Sequence, residues 1–294
     1  TKFFIFLKAK ILIMDMPDLE TFHIKRSKIF PVHYIYIFHS MFSIHSYLRK
    51  GAIDNFDTIF CVGNHHNKEI REIEKAYGLK SKRLIDYGFG RLDTLLDEKE
   101  NMKINQEENL VIITPSYGKN NLLEVCGLEL IEILLQSKFK ILLRPHFRIF
   151  EESKELIETI HEKFDKNPDF ILEEGVITSE KFHSSKCMIS DWSGISLEYA
   201  FTFERPVIFI DVPKKVLNQN VNDISLKPIE ISIREKIGHI IKPNNLKDIL
   251  EKIDDQSKSK DIKQIRFDTV YNIQNSAKIG ADTIEEILNE LKNS

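Results

Sequence analysis

The 294-residue chain has few cysteines, one tryptophan and few glycines, with three, one and eleven of each. Cys61, Cys126 and Cys187 are odd in number, widely spaced and without a CxxC pair. That excludes a disulfide scaffold and a thiolate metal site, and it fits a reducing compartment. Eleven glycines and nine prolines exclude a collagen-like chain. Long apolar runs are absent too. The longest, Phe3 to Met14, is broken by Lys8 and Lys10 and is too short to span a hydrocarbon core of about 30 Å as a helix. Those lysines fall inside the apolar stretch, and no small-residue cleavage site follows, so it does not read as a signal peptide. Neither sign of charge dominates: 42 Lys and Arg stand against 45 Asp and Glu, for a net −3. Counterion release over the whole chain is then a weak driving force, and no nucleic-acid partner is expected. GxSxG and GxxxxGK[ST] are missing, so common hydrolase and P-loop chemistries lack their signatures. His45, His65 and His66 do not complete a metal pattern with carboxylates, and no metal is expected.

What is present is 42% hydrophobic and 30% charged sequence, enough to bury a sizeable core. Short β-rich runs alternate with amphipathic helical runs, which predicts an α/β fold built of parallel βα units. Strands are expected at Lys10–Met14, His33–Phe38, Thr58–Val62 and Arg83–Tyr87, with a helix at Lys68–Tyr77. The charged stretch Asp97–Asn109 reads as a linker. The rhythm restarts with strands at Leu110–Thr114, Lys140–Arg144, Phe170–Leu172, Cys187–Ser190 and Pro206–Ile210. Helices are expected at Leu122–Leu135, Phe150–Phe164 and Ser193–Phe203, loops at Asn218–Ile241, and a terminal helix at Ala277–Leu291. Two Rossmann-like domains result, residues 1–97 and 108–294, the second carrying the terminal helix. The chain starts at Thr1 directly in apolar sequence, so the first domain is expected to lack its N-terminal part.

Ligands of open parallel sheets gather beyond the carboxyl ends of the strands, and four post-strand segments carry suitable chemistry. Gly88-Phe-Gly-Arg-Leu-Asp93 begins like a dinucleotide fingerprint but has Asp93 at its third glycine, so it reads as a positioning loop or a plain tight turn. Arg144-Pro-His146 offers a bidentate cation and an imidazole to an anionic ligand; alternatively, Arg144 pairs with a surface carboxylate and His146 caps a helix. Ser190-Asp-Trp-Ser-Gly-Ile-Ser196-Leu-Glu198 puts hydroxyls and backbone N–H groups at a helix N-terminus, suited to phosphate or diphosphate. Glu198 could accept hydrogen bonds from a ribose or simply favour the helix dipole, and Asp191 is better suited to capping the helix or orienting the loop than to acting as a base. The fourth is His39, after the second strand, with the hydroxyl-bearing Thr114-Pro-Ser116 loop in the equivalent place of the second half. His39 is either a general base for an acceptor hydroxyl or a hydrogen-bonded structural residue.

The order of these pieces resembles the CDP-glycerol glycerophosphotransferases, the teichoic-acid and capsule-polymer enzymes of glycosyltransferase-B (GT-B) fold, from about Val32 to Ile287. It rests on His39, Phe56-Asp57-Thr-Ile-Phe60, Gly88-Phe-Gly-Arg-Leu-Asp93, Thr114-Pro-Ser-Tyr117, Arg144-Pro-His146, Ser190-Asp-Trp-Ser193 with Glu198, and Arg205-Pro-Val-Ile-Phe209. The resemblance implies a catalytic base at His39 and a second catalytic imidazole at His146. It also implies that Arg144 with His146 and Ser193 with Ser196 hold the donor diphosphate; with the loop readings above, the expected donor site is Arg144, Ser190, Asp191, Ser193, Gly194, Ser196, Glu198, Thr114 and Ser116. It departs from the family at Ser40, where a glycine is usual, and at Gly194, where a second serine is usual. The implied reaction moves glycerol phosphate or a related alditol phosphate from a CDP-activated donor to a hydroxyl of a cell-envelope glycan or lipid-linked acceptor, releasing CMP. No cofactor is implied beyond the co-substrate. The expected location is cytoplasmic, with peripheral contact at the inner face of the plasma membrane. A nucleotide-sugar glycosyltransferase and a non-catalytic nucleotide- or polymer-binding paralogue use the same scaffold.

Overall fold

The computed structural model describes residues 4, 6–175, 179–214 and 217–293. The chain divides into two compact units, one of Thr1–Thr94, Val216–Ile229 and Phe267–Ser294, the other of Leu95–Lys215 and Glu230–Arg266. Each is built on a parallel sheet, as the α/β reading expects. No helix among the described residues is long and apolar enough to cross a membrane.

In the first unit the strands β1 (Ile11–Met14), β2 (His33–Ile37), β3 (Thr58–Cys61) and β4 (Arg83–Asp86) lie side by side in that order. The inner strands are buried on both faces, with Tyr34, Ile35, Tyr36 and Ile59 fully inaccessible. Hence they read as continuous apolar runs rather than as alternating ones. A helix at Asn64–Tyr77 follows β3 and ends where Gly78 takes a left-handed φ of 64° and donates its N–H to the Glu74 carbonyl.

The terminal helix, Ser276–Asn293, corrects the expected division, because it belongs to this first unit. Asp93 explains why: its carboxylate accepts the backbone N–H groups of Gln274 and Ser276 at 2.7 and 3.0 Å and the Ser276 hydroxyl as well. It thus supplies from a distance the cap that the helix N-terminus needs. Ile287 then packs with Ile35, Phe60 and Tyr87, and Arg83 pairs with Glu286 and Glu290 at 2.9 and 2.8 Å. Gly88, at φ 104°, lies so close to the Tyr271 carbonyl that a Cβ would fall 2.4 Å from it. The Gly88–Asp93 segment is therefore an anchor for the C-terminal helix.

The expected linker is corrected as well. Gly90–Asn101 is a helix running well into the charged stretch; Leu92, Leu95 and Leu96 are buried on one side, and the charges are its solvated face.

The second unit holds β5 (Leu110–Thr114), β6 (Lys140–Leu143), β7 (Phe170–Leu172), β8 (Cys187–Ser190), β9 (Val207–Ile210) and β10 (Gly238–Ile241). All pairs are parallel and the order is β10-β9-β8-β5-β6-β7. That is the doubly wound Rossmann order, whose direction of winding reverses between β5 and β8. β10 lies in the stretch expected to be loops. Two expected helices are interrupted: a π-turn at Leu123–Gly127 precedes Leu128–Gln136, and Ser153, at φ −133°, separates Ile149–Glu152 from Lys154–Phe164.

Candidate active site

The reversal point of the second sheet is where the candidate donor residues meet. Thr114 and Ser190 end β5 and β8 and are paired in register. Their hydroxyls tie the two strand ends together: Ser190 donates to the Thr114 carbonyl at 2.7 Å, and the Thr114 hydroxyl donates to Ser190 Oγ at 3.1 Å. Both side chains are buried.

Asp191, 1% exposed, turns inward beneath the loop after β5. Its two carboxylate oxygens accept the N–H groups of Ser116 and Leu122 at 2.8 and 2.9 Å. Burial pushes its pKa up, and the backbone donors pull against that. Of the two tasks open to Asp191, orienting a loop is the one found. The helix that follows, Ile195–Phe203, begins at Gly194 without any side-chain cap. The buried Ser196 hydroxyl donates back to the Ser193 carbonyl at 2.7 Å, while Ser193 and Glu198 are half-buried in its first turn. This nine-residue helix brings its N-terminus to the sheet edge, where the N–H groups of Ser196 and Leu197 donate to the carbonyls of Ser193 and Gly194, each at 3.2 Å.

Arg144 and His146 follow β6, the neighbour of β5 on the other side. Arg144 Nε donates to the Gly175 carbonyl at 3.1 Å. His146 Nδ1 accepts the Arg148 N–H at 3.3 Å, which places the proton of a neutral ring on Nε2. Its ring sits between Tyr117 and Phe147, with centroids 4.5 and 4.4 Å away, and the Arg148 guanidinium lies 4.4 Å above Tyr117. This stack of Phe147, His146, Tyr117 and Arg148 orients the imidazole and was not read from the sequence. Arg234 was missed too. It is 3% exposed, stacks on Trp192 at 4.0 Å and meets Asp211 at 3.3 Å, so it backs the Ser190–Ser193 turn. Its one legible signal was an arginine beside the apolar β10.

In the first unit His39 stands exposed just past the carboxyl end of β2, with the Tyr47 ring edge-on at 6.3 Å. The structured part of its loop is behind it. His65 and His66 point their Nε2 atoms at the carbonyls of Met41 and Phe42, each at 2.9 Å. Glu69 accepts the Ile44 N–H at 2.6 Å and lies 3.1 Å from His45 Nδ1. Burial pulls the pKa of His65 down and that of His66 further still. Among the described residues no group of three His, Cys, Asp or Glu could hold a metal ion.

The model of a family described as CDP-glycerol:poly(glycerophosphate) glycerophosphotransferase matches residues 2–281. The chain belongs to this family. It is a transferase, and its activity is transfer of glycerophosphate from CDP-glycerol. Among solved structures it is similar to the wall teichoic acid polymerase TagF, with 16% identity, a TM-score of 0.59 and coverage of 97% of this chain and 74% of that one. A TagF structure soaked with CDPG matches at the same TM-score of 0.59 and 16% identity, covering 97% and 73%. The pneumococcal O-GlcNAc transferase GtfA, in complex with UDP and GlcNAc, matches at 14% identity and a TM-score of 0.51, covering 87% of this chain and 53% of that one. At such identities these likenesses speak to the fold alone. No curated protein matches the sequence.

Proposed function

We propose that the chain transfers glycerol phosphate onto a terminal hydroxyl of a growing poly(glycerophosphate) or lipid-linked cell-envelope glycan, as in wall teichoic acid synthesis. The observation that carries this reading is the strand reversal between β5 and β8. A uncapped helix N-terminus, Ser193 and, one strand away, Arg144 and His146 gather at that carboxyl edge. They would hold the donor diphosphate, with Gly194 allowing close approach and Glu198 available to the ribose. Ser190, Asp191, Thr114, Ser116 and Ser196 act one step back, holding the loops that the donor touches.

His39 takes the proton of the acceptor hydroxyl. The acceptor oxygen forms a bond to the glycerol-bearing phosphorus, and the bond from that phosphorus to the bridging oxygen breaks. CMP leaves, its growing charge met by Arg144, the Nε2–H of His146 and the helix N-terminus. The reaction so drawn requires no further cofactor, and it takes place on the cytoplasmic side, with peripheral contact at the membrane that carries the acceptor.

The test incubates the protein with CDP-glycerol, CDP-ribitol and UDP-sugars in turn and follows the nucleotide released. CMP from CDP-glycerol is expected; release of UDP from a UDP-sugar alone would instead make the chain a sugar transferase. His39→Ala should lower transfer by roughly 10²–10⁴-fold with donor affinity near normal. His39→Gln should be nearly as inactive, since an amide cannot accept the proton. A fully active Gln variant would remove His39 from proton transfer.

A further inference from the structure

Three side chains on one helix add to the His39 loop's own fastenings, which include the Phe42 N–H donating to Ser40 Oγ at 3.3 Å and the Ser46 hydroxyl donating to the Ser43 carbonyl at 2.9 Å. His65, His66 and Glu69 are spaced i, i+1 and i+4 on the Asn64–Tyr77 helix, so they share a face. Between them they engage four backbone groups of the five residues Met41 to His45: the carbonyls of Met41 and Phe42, each at 2.9 Å, and the N–H groups of Ile44 and His45, at 2.6 and 3.4 Å. The short helix Ile44–Tyr47 begins at Ser43, which makes no side-chain cap. Glu69 therefore serves as its cap from another element, at the end of the helix where a carboxylate is favoured.

The tautomer of His66 is fixed on both sides. Its Nδ1 accepts the Val62 N–H at 3.3 Å, leaving the proton on Nε2 for the Phe42 carbonyl. His45 differs in facing acceptors with both ring nitrogens, Nδ1 lying 3.1 Å from Glu69 and Nε2 3.0 Å from the Leu226 carbonyl. Ser43 Oγ accepts the Ile229 N–H at 2.7 Å, and Asn218 donates to the His45 carbonyl at 2.9 Å. Residues 41–45 are thus held from the Asn64–Tyr77 helix and from Asn218, Leu226 and Ile229, while His39, two residues before them, stays exposed.

We propose that Glu69, with His65 and His66, is a positioning group for His39: it freezes the loop that begins at His39 and so fixes the direction in which that imidazole points. The inference rests on the reading of His39 as the base. Misplacing a catalytic group by about 1 Å costs roughly a hundredfold in rate, so the expected signature is in turnover and not in donor binding. Glu69→Ala in the full chain should lower kcat for CMP release by roughly ten- to hundredfold and leave KM for CDP-glycerol within about twofold. Glu69→Gln, which keeps an acceptor for the Ile44 N–H, should recover part of the loss. His65→Ala, at a half-buried position, gives a second variant should Glu69→Ala not fold.

The deciding measurement is a double-mutant cycle with His39→Ala. If Glu69 acts through His39, Glu69→Ala should change the residual turnover of the His39→Ala protein by less than about twofold. The same fold-loss in both backgrounds, or a raised KM at unchanged kcat, would overturn the proposal while leaving His39 as the base. A His39→Ala protein with near-normal turnover would overturn the base reading and this proposal with it.

Discussion

The loop after β2 in the first unit and the loop after β5 in the second hang from equivalent strand ends, yet they are fastened by different chemistry. The first is held by imidazoles and a glutamate reaching in from a neighbouring helix. The second is held by the buried Asp191 and Asn121, by Glu124, and by two hydroxyls that join the strand ends. An imidazole that donates to a carbonyl while its other nitrogen accepts an N–H can do so only when neutral, as His66 does. Hydroxyls have no such condition. The first unit has therefore fastened the loop after His39 with groups whose free titration lies near neutral pH, whereas the hydrogen bonds that fasten the loop after β5 come from a carboxylate, an amide and hydroxyls.

Acid is the strongest way to break the comparison. Burial lowers the pKa of His65 and His66 in the folded first unit, whereas in the unfolded chain each titrates at about 6.5. Below that pH the unfolded chain takes up protons that the folded unit refuses, so stability is present above about pH 6.5 and falls as the pH drops through it. The second unit has His183, lowered by burial and by Arg205 and Lys99, and His146 stacked on Tyr117, but the hydrogen bonds that fasten its β5 loop are made by Asp191, Asn121 and hydroxyls. Trp192, the chain's one tryptophan, lies in the second unit and reports it separately. Melting followed by circular dichroism between pH 7 and 5 should show one transition moving down well before the Trp192 fluorescence transition. Two transitions that move together would erase the distinction.

Arg144→Ala tests the second unit's side. A charge-assisted contact to phosphate is worth about 1.5–3 kcal/mol, or roughly ten- to hundredfold in donor affinity. Titration with CDP-glycerol should show that loss, with lysine restoring only part of it; unchanged affinity in a folded variant would detach Arg144 from the donor. The smallest effect is expected from Asp191→Asn. The amide can accept one of the two loop N–H groups but faces the other with a donor, which should cost about 1–3 kcal/mol of stability. The Trp192 transition should fall and donor affinity with it, whereas His39-dependent proton transfer should not change its pH profile.

The sheets were legible because their strands are buried on both faces and read as apolar runs, as Leu110–Thr114 does. β10 was not, because Gly238-His-Ile-Ile241 offers four residues directly after short helical turns. Helical spacing identified the terminal helix but carries no address; that came from Asp93, whose role as its cap depends on a contact 183 positions away in the chain. The charges of Asp97–Asn109 hid a helix because an exposed face looks the same on a helix as on a linker.

At the candidate site, the sequence named loops that the structure brings to one sheet edge and blurred how the residues within them are placed. Ser190 and Ser193 are the same residue type in one motif, yet the first is buried against Thr114 and the second is half-exposed. Composition records the hydroxyl and not the side of the strand on which it lies. The Phe147–His146–Tyr117–Arg148 stack was hidden for a related reason, since it joins two loops that are neighbours only through the pairing of β5 with β6.

The Ser276–Asn293 helix, docked on the first sheet, sets an order of birth. A ribosome delivers β1 to β4 before the second unit, but the piece that covers Phe60 and Tyr87 only after it. Everything belonging to the second unit, Leu95–Lys215 and Glu230–Arg266, has by then been synthesised. Domains generally form as units during synthesis, so the later-encoded half can close while the earlier one still waits for its final helix. The sheet begun before the second unit is covered only after it, and a ribosome that stalls before Ser276 leaves a finished second unit joined to an open sheet.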